Sequence, residues 1–541
     1  MLKKQVQMVI AVFLVGLVMF PVFTSAELLN QKKYVNYVAL GDSLAAGVLY
    51  DNSLGDGYTD YISNHLESVG FQVDFNKNYA IPGYTSEQVL LGVQDVSNGL
   101  QEEIIDADMI TLNAGANELL QLIELTPSGI IYNPTEIQQA TKEVGENIGM
   151  TLTIIRQLNP NVAVYVLGYY NPFPYLPEEM QKQYKPALDG LNYVIEQAVT
   201  KTGGYYIPTE EAIAQNFQRY LPNPQNVHPS LLGYEVIADE FWSKIEPATT
   251  VLGKSTARLF GQNRYETAVA ISEETFEKSD TVIIARGDQY PDALVATPLA
   301  YQLQAPILLT QSDSLSGETL DEIRRLGSSN AIILGGEKAV SSQIATQLDE
   351  QNLLVTRIGG GNRFETAALV AEELGGYTKA VLAYGYGFVD ALAVSPYAST
   401  KGYPILLTES SVMPRETQSA LEGVTSTYVV GGEAVINEDI MKNLIDPTRL
   451  EGDTRYETAA AVFTEFQGET TAAVVATGED FADALTGSVY ASVHHLPLLL
   501  VNTNELPIPT GELVTNNGIV DFVVLGGESA INEKVLWEIV K

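Results

Sequence analysis

The second half of this 541-residue chain carries the same landmarks three times in the same order. RLFGQNRYETA begins at Arg258, RIGGGNRFETA at Arg357 and RLEGDTRYETA at Arg449. Each leads through an apolar run to an Asp-Ala-Leu step: Asp292-Ala293-Leu294, Asp390-Ala391-Leu392 and Asp483-Ala484-Leu485. PILLT follows from Pro306, PILLT from Pro404 and PLLLV from Pro497, and the copies close on ILGGEKAV, VVGGEAVI and VLGGESAI. Self-similarity on this scale means three copies of one supersecondary unit, over 258–356, 357–448 and 449–541. Within a unit, TVIIARG, APILLTQ and NAIILGG have the continuous apolar character of buried strands, while DALVATPLAYQL and SGETLDEIRRLG have helical spacing. That alternation predicts repeated α/β modules with parallel sheets. Whether they pack as a ring or a row is left open by the sequence.

The first half, 31–246, is a different α/β domain. VNYVALG, ADMITLNAG, NVAVYVLGY and GGYYIP read as strands, and 58–69, 135–158, 188–202 and 230–245 as helices. Residues 247–257, rich in small residues and without periodicity, read as a linker. At the N-terminus, Lys3 and Lys4, an apolar run from Val9 to Phe23 and the small residues Thr24-Ser25-Ala26 predict an export leader over 1–26. The apolar run is shorter than a spanning helix needs, so the mature form is expected to carry no transmembrane anchor. The absence of cysteine excludes a catalytic thiol, disulfides and cysteine-ligated zinc. A formal net charge of −37 opposes nucleic acid and anionic membranes at long range, and any hold on an anionic wall polymer must come from local sites.

Four blocks of the first half carry chemistry. Gly41-Asp42-Ser43-Leu44 ends the first strand, at the sheet edge where open α/β folds bind ligands. The same residues also fit a turn with a capping serine. Asn78-Tyr79-Ala80 runs into Pro82-Gly83, Asn113-Ala114-Gly115-Ala116-Asn117 follows a strand, and His228-Pro229-Ser230 precedes the last helix. Together they supply a hydroxyl, an imidazole and amide donors, the parts for acyl transfer. Of the two histidines in this half, His65 falls within a helix and reads as a surface residue; His228 has the loop placement suited to catalysis.

The constellation resembles the GDSL esterases and lipases, the SGNH hydrolases, over roughly 34–246. The resemblance implies an SGNH-hydrolase-like (flavodoxin-like) three-layer α/β/α domain, with no metal or organic cofactor. It implies Ser43 as nucleophile and His228 as its base. The backbone N–H groups of Ser43 and Gly83, with the Asn117 side chain, would form the oxyanion hole. Two positions depart from the family pattern. Gln225, followed by Asn226, stands where the family places the aspartate that holds the imidazole, and Glu118 follows Asn117 in place of aspartate. An amide accepts a hydrogen bond from the ring but offers no charge to an imidazolium, so the third triad member is open.

Residues 258–541 resemble the cell-wall-binding repeats of Gram-positive surface proteins, which implies attachment to an anionic wall polysaccharide. In each unit Arg264, Arg363 or Arg455 could grip such a polymer. Each could instead pair with Glu266, Glu365 or Glu457, or with the Asp-Ala-Leu aspartate, to fix the fold. The glycine pairs at 335–336, 431–432 and 526–527 could cradle an anion or simply make turns. His494-His495 occurs in the third unit alone and is not expected to bind metal. The expected protein is a secreted, wall-attached serine hydrolase acting on a lipid ester or an acetylated glycan. The rival readings are an inactive hydrolase-like domain used for binding or adhesion, which Gln225 favours, and repeats that serve as a protein assembly platform.

Overall fold

The computed structural model describes residues 32–126, 129–249, 252–466 and 470–541. The expected leader lies outside them, and no helix among the described residues is long and apolar enough to cross a membrane. Strands β1 (Lys32–Gly41), β2 (Phe71–Ala80), β3 (Met109–Asn113), β6 (Ala163–Gly168) and β7 (Tyr205–Pro208) form a parallel sheet in the order β2-β1-β3-β6-β7. A small hairpin, β4 (Glu124–Thr126) and β5 (Gly129–Ile131), stands apart from it. β1 is buried from Tyr34 to Gly41, as a strand covered on both faces must be. Helices Tyr58–Ser68 and Leu231–Ile245 pack on each other, and Pro134–Leu158 packs on both Ser86–Gln94 and Glu178–Thr202. This strand order reverses direction between β1 and β3, so their C-terminal ends open a crevice.

The helix expected from 188 begins ten residues earlier, at Glu178, with Pro186 in its interior. A proline there costs one helix hydrogen bond. Burial of Tyr184, Ala187 and Leu188 offsets that loss.

The repeats form a closed ring. The first unit holds β9 (Thr281–Arg286), β10 (Ile307–Thr310) and β11 (Asn330–Leu334), and the second β13 (Lys379–Tyr384), β14 (Ile405–Thr408) and β15 (Ser426–Val430). The third holds β17 (Ala472–Thr477), β18 (Leu498–Val501) and β19 (Asp521–Leu525). Each sheet takes its fourth strand from the start of the next unit: β12 (Leu354–Ile358) on β11, β16 (Pro447–Leu450) on β15. The third sheet is completed by β8 (Lys254–Leu259), which runs into the start of the first unit. Residues 254–257, expected as linker, are therefore strand. Ser255 to Leu259 pair in register with Asp521 to Leu525, and pairing satisfies backbone groups that a linker would leave to water.

The helices at or just after the Asp-Ala-Leu steps, Thr297–Leu303, Val389–Lys401 and Ala482–Val493, pack against one another at the centre. Their buried faces are rich in small residues, and Thr297 and Ser488 share a buried hydrogen bond of 3.0 Å across two units. One hydrophobic core runs from Leu259 to Leu525 through all three units, so none is an independent domain. The ring is also fused to the first half. β8 pairs antiparallel with Lys32–Tyr34 of β1, and the Tyr34 ring packs into the third unit against Trp537.

Candidate active site

Gly41 ends β1 at φ +145, where a side chain would strike the Asn113 carbonyl at 2.4 Å. Glycine lets the two strand ends close up, and Asp42 turns inward. Its carboxylate takes hydrogen bonds from Leu44 N (2.9 Å), Asn113 Nδ2 (2.5 Å) and the Tyr169 hydroxyl (3.0 Å). Asn113 Oδ1 in turn accepts from the Tyr58 hydroxyl at 2.9 Å. Burial pushes the Asp42 carboxyl up to about 6 against the pull of these three donors. With the aspartate fixed as cap, Ser43 starts the short helix Ser43–Ala46 and is left half-exposed on the crevice.

His228 reaches the same point from the other end of the domain. The loop carrying it is tied back by Tyr50 N to the Pro229 carbonyl (3.1 Å), and Ser230 caps the last helix. His228 Nε2 lies 2.8 Å from Ser43 Oγ. Its Nδ1 lies 2.6 Å from Oδ1 of Asn226. The Asn226 amide nitrogen donates to Tyr50 O (2.9 Å) and Asn52 Oδ1 (3.0 Å), so its oxygen must face the ring. That oxygen only accepts, so Nδ1 carries the proton and Nε2 is left bare to accept from the serine. Burial holds the imidazole below its ordinary pKa.

The residue at the ring is thus Asn226, two before the histidine. Gln225 is exposed, and its backbone N–H donates to Asn223. Register explains the shift. Asn226 Oδ1 also accepts from the His228 backbone N–H at 3.0 Å, an Asx turn that needs a spacing of two. The sequence signal was the Asn-x-His spacing, overshadowed by the family position at 225.

Gly83, at φ +84, and Asn117 line the same cavity as Ser43 and His228. Asn117 Nδ2 is anchored by the Tyr84 carbonyl at 2.8 Å, which aims the amide and leaves its second N–H free. The departure at Glu118 has a structural use: its carboxylate accepts from Ser86 N (2.5 Å) at the start of helix Ser86–Gln94. His65 is half-buried rather than on the surface, packed on Trp242. The four expected site residues come together; the Asn113, Tyr58 and Tyr169 support of Asp42 was not foreseen, because it joins three separate strand and helix ends.

In the ring the motif residues fix the fold. Arg264, Arg363 and Arg455 donate to the carbonyls of Gly287, Gly385 and Gly478 at 2.7, 2.6 and 2.6 Å. Glu266, Glu365 and Glu457 accept from backbone N–H groups of Gln262, Gly361 and Thr454 at their own helix starts. Arg455 and Arg264 lie near Asp390 and Asp483 of the preceding units, and both carboxyls are raised to about 6 by burial. The first glycine of each pair has positive φ, and a side chain there would meet the Asp292, Asp390 or Asp483 carboxylate at 2.4, 2.8 or 2.3 Å. The N–H of that glycine is already spent on the Ile358, Leu450 or Leu259 carbonyl, at 2.8, 2.9 and 2.9 Å. His494 and His495 pack on Tyr490 and Tyr301.

Fold and site define an α/β hydrolase domain built onto a ring of repeats. Residues 39–236 match the GDSL-like lipase/acylhydrolase family, and 258–345, 357–441 and 449–536 match cell wall binding domain 2. The chain is a GDSL-like hydrolase domain followed by three cell wall binding repeats. It is 37% identical over 289 residues to the N-acetylmuramoyl-L-alanine amidase LytC of Bacillus subtilis, covering 53% of this chain and 58% of that one. It is 25% identical to the spore germination lipase LipC of Bacillus licheniformis, covering 38% of this chain and 94% of the lipase. Among solved structures, Cwp8 from Clostridium difficile aligns with a TM-score of 0.50 and 29% identity over 57% of this chain and 54% of that one. This chain spans less than two thirds of the amidase's length.

Proposed function

We propose that the protein is a secreted, wall-attached carboxylic ester hydrolase that works through an acyl-enzyme on Ser43. The observation that carries this reading is the line Asn226 Oδ1, His228 Nδ1, His228 Nε2, Ser43 Oγ, with neither separation above 2.8 Å. The serine proton passes to Nε2 as Oγ bonds the ester carbon, and the carbonyl oxygen becomes an oxyanion facing the N–H groups of Ser43, Gly83 and Asn117. Each such donor is worth about 3 kcal/mol at the transition state. The C–O bond to the alcohol then breaks, and Nε2 returns the proton to the leaving oxygen. Water repeats the cycle on the acyl-enzyme and frees the acid. The match to cell wall binding repeats supports a cell-surface location, with the ring holding the domain to wall polymer.

The case for an inactive domain rested on Gln225, and Asn226 supplies the missing ring partner. The test is hydrolysis of 4-nitrophenyl butyrate and labelling by a serine-directed phosphonate, wild type against Ser43→Ala. Loss of label and of at least about 10³ in rate is expected; equal rates refute the enzyme reading. The full chain should sediment with purified walls, and failure to do so refutes attachment.

A further inference from the structure

Resting on the ester hydrolase reading, we infer that the acyl group of the substrate is a linear aliphatic chain of about eight carbons and not acetyl, so that the substrate is a lipid-type ester. The cavity beside Ser43 and His228 has a volume of about 370 Å³. A methylene needs roughly the ~30 Å³ share of a water molecule, so the space holds about a dozen heavy atoms. An acetyl methyl would leave most of it empty or wet.

The lining decides the chemistry. Leu119, Leu120 and Ile123, which follow Asn117, and Leu188 and Leu191 of the long helix Glu178–Thr202 present hydrocarbon. Three tyrosines also line the cavity, and a sugar would use their hydroxyls if they were free. None is free. Tyr169 donates to Asp42 Oδ2 (3.0 Å), Tyr170 to the Val227 carbonyl (2.8 Å) and Tyr184 to Asn171 Oδ1. Each tyrosine is thus turned so that its ring serves as wall and its polar end is spent on the protein. Beyond Ser43, His228, Asn117 and the spent Asp42 carboxylate, no lining side chain offers a free polar group. A site that bound a glycan beside its acetyl group would need such groups, because sugar hydroxyls stripped of water must be paired.

The ester carbon has to lie between the nucleophile and the donors at 83 and 117, which share this cavity with the leucines, so the acyl chain attached to it extends along their hydrocarbon. Each methylene moved from water into it is worth about fourfold in kcat/KM. The six methylenes separating acetate from octanoate then give about 4 × 10³ when fully buried.

The experiment is a chain-length series on the full protein: 4-nitrophenyl acetate, butyrate, octanoate and palmitate, with acetate release from acetylated xylan and from O-acetylated peptidoglycan alongside. kcat/KM should climb at least 100-fold from acetate to octanoate and stop rising beyond the capacity of the cavity. Leu120→Trp, at a half-buried wall position, should move the optimum to shorter chains, lowering the octanoate-to-butyrate ratio of kcat/KM at least tenfold with the Tm unchanged. An optimum at acetate, or acetate release from either glycan faster than octanoate hydrolysis, overturns the inference alone if Ser43 still takes the phosphonate. Absence of labelling and of turnover on every ester removes the parent reading and this one together.

Discussion

Replacing Asn226 by leucine tests the site most sharply, because the shape is kept and the hydrogen bonds are removed. The side chain does two things: it fixes the ring through the 2.6 Å bond to Nδ1, and it holds the loop through the 3.0 Å bond from His228 N and the bonds to Tyr50 and Asn52. It carries no charge, so it stabilises the imidazolium only as a dipole. Losing one neutral hydrogen bond with the ring half-buried costs about 1–2 kcal/mol, and freeing the tautomer adds a comparable amount. The expected fall in kcat is about 30- to 1,000-fold, below the ~10⁴ seen when a full triad loses its aspartate. Because no charge is removed, the acid limb of the kcat/KM profile should stay where burial has put it, below the ordinary histidine value. Stopped-assay pH profiles on 4-nitrophenyl butyrate read both quantities. A loss under threefold means that Asn226 does not orient the base; a loss near 10⁴, or a moved limb, means that it acts as a charge and that the reasoning is wrong.

Other outcomes follow from the same geometry. Asn226→Asp places a carboxylate at Nδ1, so the acid limb should move up by about one unit or more; Tm should fall, because the second oxygen then faces the Tyr50 carbonyl. Asp42 has a folded pKa of about 6 against an ordinary 3.8, so the folded state binds the extra proton. Stability should therefore fall by about 3 kcal/mol as pH rises from about 4 to about 6, then stay level, and Asp42→Asn should remove that slope in denaturant titrations. Gly526→Ala forces a side chain to 2.3 Å from Asp483 at φ +90 and should cost at least ~2 kcal/mol. Because one core runs through the ring, the loss should appear as a single cooperative shift of all three units in calorimetry.

Much of the site was legible because its chemistry sits on rare residues in recognisable places. Ser43 closes the first strand, and His228 is one of only four histidines in the chain. What was not legible is which of two adjacent amides meets the ring. Gln225 and Asn226 differ in reach and in the Asx turn that only a spacing of two permits, and that choice is made by the Tyr50 and Asn52 contacts from a loop over 170 residues away in sequence.

The sequence by itself determined three units, an α/β alternation and a serine at a strand end, because periodicity and strand–turn–helix chemistry are local. Tertiary structure decided that the ring closes: β8, which no local signal separates from a linker, has its hydrogen-bonding partner at Asp521–Leu525, at the far end of the chain. It also decided that the first glycine of each pair packs against an aspartate carboxylate and that Asp42 caps a helix while Asn226 holds the imidazole. Each of these depends on which backbone and polar groups are brought together once water is excluded, and residue order alone does not specify such pairings.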